Sequence, residues 1–146
     1  MKGDKIPDQE HILRYVQPAK LRKADGTNDV IGVLATAFVM RDVDDYLSAT
    51  WIEFFDGEYA DKIAQAVQTI RRSLDVKPTS GFTIGKVAEV RAACADKRHN
   101  VRIVHEPDNT NAAHVALRRF PRDDIELFEV LASEVWADWF LNSSIP

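Results

Sequence analysis

The chain has 146 residues, 45% of them hydrophobic, a length suited to one packed domain and a composition that excludes a disordered chain. Nineteen basic against 23 acidic residues leave a net charge of −4 with no basic stripe, so nucleic acid is not an expected partner. The single cysteine, Cys94, excludes an intramolecular disulfide and a thiolate metal site, and no cofactor is expected.

Residues 1–10 carry Lys2, Asp4, Lys5, Pro7 and Asp8 around one apolar residue, Ile6, the composition of a disordered terminus. They contain no apolar leader, which makes the cytoplasm the expected location and 11–146 the expected domain. Segments 12–16 and 30–40 are rich in β-branched and aromatic residues, and Asp25-Gly26 between them is a turn signal. They read as an antiparallel pair. Segment 30–40 is also the longest nearly unbroken apolar run, about half of the roughly 20 residues a spanning helix needs, so no membrane partner is expected.

After Arg41 two periods compete. Val43, Tyr46, Leu47, Trp51, Phe54 and Phe55 fit a helical face, while Leu47, Ala49 and Trp51 also alternate. Thr50 with Glu53 forms a capping-box pattern, which favours a helix near 48–55. Ser48 then serves as a cap rather than a nucleophile, because no G-x-S-x-G surrounds it. A second helix runs over 58–74, with Ile63, Val67, Ile70 and Leu74 on one face. Gly81 to Lys86 lacks the full phosphate-loop pattern and reads as a short strand through Phe82 and Ile84. A short helix follows over 87–97.

Segments 101–105 and 112–120 form a second hairpin across the turn-forming residues 107–111. Pro121 and Asp123, with Glu126, start a long C-terminal amphipathic helix through Leu127, Phe128, Leu131, Ala132, Val135, Trp136, Trp139, Phe140 and Leu141. The order of elements predicts a single α+β domain: a mixed, mostly antiparallel sheet with helices packed on one face.

Two functions compete. The last helix holds more aromatic surface than one face can bury, which suggests an adaptor or accessory subunit acting through Trp136, Trp139, Phe140 and Leu141 on a protein partner or a second copy. The alternative is a hydrolase or nuclease at the second hairpin. If its strands pair about the midpoint of Asn109 and Thr110, His105 and His114 stand opposite each other on one face. Catalysis would then fall to His105, His114 and Arg118, either metal-free or with Asp108 as a third ligand beside the two imidazoles. The structural alternative has both histidines hydrogen-bonding around the end of the hairpin. The short patterns at Leu47, Ser48, Trp51 and Glu53 and at His105, Pro107, Asn111 and His114 name no family.

Overall fold

Alternating side chains build a six-stranded sheet from β1 (His11–Val16), β4 (Tyr46–Trp51), β5 (Gly81–Lys86), β6 (Arg102–His105), β7 (His114–Arg118) and β8 (Asp138–Leu141). The structure, a computed structural model, describes residues 3–146. Strands lie in the order β6-β7-β4-β1-β5-β8 and every neighbouring pair is antiparallel. A separate ribbon of β2 (Leu21–Lys23) and β3 (Val30–Val33) leaves the sheet between its first two strands.

Period-two alternation gives the sheet two apolar faces, and each is covered. On one, Leu13, Phe82 and Ile84 pack against Val67 and Ile70 of α1 (Tyr59–Ser73). On the other, Ile12, Leu47, Ile103, Val115 and Leu117 pack against Val87, Val90 and Cys94 of α2 (Val87–Asp96) and Leu127 and Phe128 of α3 (Ile125–Val130). Helices therefore sit on both faces, correcting the one-face expectation. The reason lies in β1 and β7, which carry apolar residues at both parities.

The expected helix near 48–55 is strand β4 followed by one 3₁₀ turn, Ile52–Phe54. Glu53 explains the difference, because its carboxylate accepts from the backbone N–H of His11 and meets His11 Nδ1 instead of closing a capping box on Thr50. The C-terminal helix is also shorter than expected. After α3 one π-helical turn spans Leu131–Val135, with the Trp136 N–H donating to the Leu131 carbonyl. Trp136 then lies flat on the backbone of β5, where a Cβ on Gly85 would stand 2.8 Å from its ring, and Thr83 Oγ1 donates to its carbonyl. Docked there, the chain leaves the helix and its last aromatics form the edge strand β8.

Part of the expected disordered terminus, 1–10, lies against the sheet in the described residues. Ile6 is buried in the core, its N–H donates to the Ile103 carbonyl, and Lys5 bridges to Val104 beside β6. Met1 and Lys2 lie outside the described residues. The expected strand 30–40 ends at Val33, pairs with β2 rather than β1, and gives way to a 3₁₀ turn at Ala35–Phe38. No helix among the described residues is long and apolar enough to cross a membrane.

Candidate functional site

Hairpin register decides which side chains can meet. His105 is opposite Val115, not His114, so the hairpin is centred on Thr110 and the expected register slips by one residue. Turn chemistry causes the slip: Asp108 Oδ1 accepts from the backbone N–H groups of Thr110 and Asn111, and Asn111 Oδ1 accepts from that of Ala113. Because strand side chains alternate, the slip puts His105 and His114 on opposite faces of the sheet. The shared His105–His114 site is therefore not assembled, in either its metal-free or its metal-bound version. Asp108 is engaged in the turn, and among the described residues no group of three His, Cys, Asp or Glu could hold a metal.

His105 is enclosed on the α2/α3 face. Its ring packs against Trp51 and Phe54, with centroids 5.2 and 5.6 Å away, and Nε2 meets the Ala112 carbonyl at 2.7 Å. His105 locks the hairpin end.

His114 stands on the α1 face with a different set of partners. Thr50 is its cross-strand neighbour on β4, and Ser48 is two residues along that strand on the same face. Trp51 donates to Ala113, which makes Thr50–His114 and Ser48–Ala116 non-hydrogen-bonded pairs, the closer class of side-chain neighbours. Across that diagonal Ser48 Oγ meets His114 Nε2 at 2.7 Å, while Nδ1 meets the Glu106 carbonyl at 2.9 Å. A carbonyl can only accept, so Nδ1 carries the proton and Nε2 is left to accept from the Ser48 hydroxyl. Ser48 itself is exposed, and the Tyr46 ring packs edge-on against the imidazole.

Arg118 takes part indirectly. Its Nε and Nη2 donate to the two Glu106 carboxylate oxygens at 2.8 and 2.6 Å, Nη1 stands 3.3 Å from Asp45, and the guanidinium lies over the Tyr46 ring. The Glu106 hydrogen bonds and charge hold its pKa above the ordinary arginine value. Committed to carboxylates, Arg118 does not serve as the expected transition-state cation. It holds Glu106, whose carbonyl orients His114.

The Ser48–His114 pair opens into a cleft of about 410 Å³ that is also lined by Tyr15, Lys20, Thr50 and Ser73. Its origin is a split in the sheet. Pairing of β1 with β4 covers only Ile12–Trp51 and Leu13–Thr50, and the Arg14 guanidinium enters beyond it, donating to the carbonyls of Ser48 and Ala37. In this register the backbone N–H and carbonyl of Ser48 point away from β7, toward the split.

The expected interaction residues are largely used by the fold. Trp136 is fully buried against Phe38, Phe140 stacks on Phe82, and Trp139 and Leu141 are half-buried against the α2/α3-side core. No protein-family model, curated protein or solved structure matches the chain.

Sequence reasoning set Ser48 aside as a helix cap, where the structure places it in β4, and did not single out Arg14. The signal for Ser48 was the alternation itself: Tyr46, Ser48 and Thr50 form the polar parity of the same stretch in which Leu47, Ala49 and Trp51 form the apolar one. Arg14 gave no signal, since its role depends on where two strands part.

Proposed function

We propose that this protein is a hydrolase acting on carboxylic esters, with Ser48 as nucleophile and His114 as general base. The observation carrying the reading is the 2.7 Å contact of Ser48 Oγ with His114 Nε2, in a ring whose other nitrogen is held by the Glu106 carbonyl. This is the nucleophile, base and orienting-group arrangement that hydroxyl activation requires. His114 takes the Ser48 proton as Oγ bonds to the acyl carbon, and returns it to the departing alcohol when the ester C–O bond breaks. Water, deprotonated in turn by His114, then releases the acid and restores Ser48. The N–H of Ser48, turned toward the sheet split, is the backbone donor best placed for the oxyanion.

The adaptor reading has less to rest on, because Trp136 is fully buried and Phe140 is half-buried against Phe82. The test is covalent. Incubation with a fluorophosphonate should give an adduct that mass spectrometry maps to Ser48, and Ser48→Ala should lower turnover of p-nitrophenyl butyrate by about a thousandfold or more. Wild-type protein that neither labels at Ser48 nor turns over the ester would exclude the reading.

A further inference from the structure

We propose that Arg14 and Lys20, at the split end of the cleft, form an anion-binding subsite for a carboxylate or phosphate group on the molecule the cleft takes. The inference rests on the hydrolase reading only in making that molecule a substrate of Ser48.

Three observations carry it. First, both cations line the same cleft as Ser48 and His114, and Arg14 donates to the carbonyl of Ser48 itself, which places its guanidinium beside the nucleophile's backbone. Second, neither cation has a carboxylate partner among the described residues. Arg14 donates only to two neutral carbonyls, its Nε is buried with no partner, and its guanidinium packs against the Phe38 ring at 5.6 Å. Third, the cleft's own acids are occupied: both oxygens of Asp44 accept from Arg41, and Asp108 caps the hairpin turn. A half-buried guanidinium and an ammonium in one cleft repel each other, and an oxyanion between them relieves both desolvation and repulsion. The groups respond as that account requires. Burial lowers the Arg14 pKa to about 10, and burial together with the Arg14 charge lowers that of Lys20. The cleft volume suits a small metabolite rather than a polymer.

The experiment uses the full-length Ser48→Ala variant, so that binding is read without turnover. Succinate and inorganic phosphate are titrated separately at constant ionic strength, with amide chemical shifts as the readout. Saturable binding is expected for at least one of them, weakened about tenfold or more by Lys20→Gln and by Arg14→Gln, as loss of a charge-assisted contact requires. The anion that binds more tightly identifies the group as carboxylate or phosphate. Lys20 bonds to Gln17 and Leu34 through its backbone alone, and its ammonium makes no hydrogen bond among the described residues, so Lys20→Gln carries the test should Arg14→Gln fail to fold. No saturation into the tens of millimolar range, or equal binding by Lys20→Gln, overturns the subsite. Anion binding without Ser48 labelling in the wild type would reject the hydrolase and keep the subsite. Labelling without anion binding would do the reverse.

Discussion

His105 and His114 lie on one hairpin and are almost equally buried, at 7% and 8% exposure, yet they face opposite sides of the sheet and meet unlike surroundings. His105 is enclosed by Trp51 and Phe54, with one ring nitrogen on a carbonyl and Nδ1 buried without a partner among the described residues. His114 has both nitrogens engaged, one of them by an exposed serine hydroxyl that opens into a cleft. The difference teaches that burial and residue type do not mark a chemical site. A site needs a partner that can react and a path for a ligand to reach it.

The sharpest way to break this comparison is to exchange the two losses. His114→Ala should abolish labelling and turnover at Ser48, a drop of about a thousandfold or more. His105→Leu should leave labelling intact and cost about 1 kcal/mol of stability in urea unfolding, because the hydrogen bond to the Ala112 carbonyl is lost. Equal effects on activity from both variants would remove the distinction.

The α2/α3 face can be probed apart from the cleft at Gly85, where a Cβ would stand 2.8 Å from the Trp136 ring. Overpacking of this kind costs about 1–3 kcal/mol, so Gly85→Ala should lower the urea midpoint and change near-ultraviolet circular dichroism, while Ser48 still labels. A stability equal to wild type would show that Trp136 can move aside.

The smallest effect concerns Cys94 on the same enclosed face. Burial, with the Asp124 charge adding to it, pushes its thiol up to about 12. The folded chain thus holds this proton above the pH at which the unfolded thiol loses it, about 8.5. Its contribution to stability is constant below that pH and is lost as pH rises toward 12. Cys94→Ala should therefore match the wild-type pH dependence up to about 8.5 and decline less steeply above it. Parallel curves across the whole range would show that the thiol titrates as freely folded as unfolded.

Long, strongly periodic segments were legible. The helix expected over 58–74 is α1, Tyr59–Ser73, and that over 87–97 is α2, Val87–Asp96. The apolar spacing of 58–74 fits one helical face, and chain breakers flank α1. Segment 46–51 was ambiguous because both periods fit it, and the deciding partner, His11 for Glu53, is 42 residues away. The candidate site was half legible. His114 and the second hairpin were found, but its register depended on how Asp108 and Asn111 bond within the turn.

By itself the sequence determined an α+β domain, its two longer helices and the strands flanking the second hairpin, because local period and turn residues act over a few positions. Tertiary structure decided the rest, where alternatives of nearly equal local merit were separated by long-range contacts. Trp136 docking on Gly85 turned the end of a helical stripe into β8. The one-residue register of the hairpin sent His105 into an aromatic enclosure and His114 to Ser48, and the parting of β1 from β4 opened the cleft beside them.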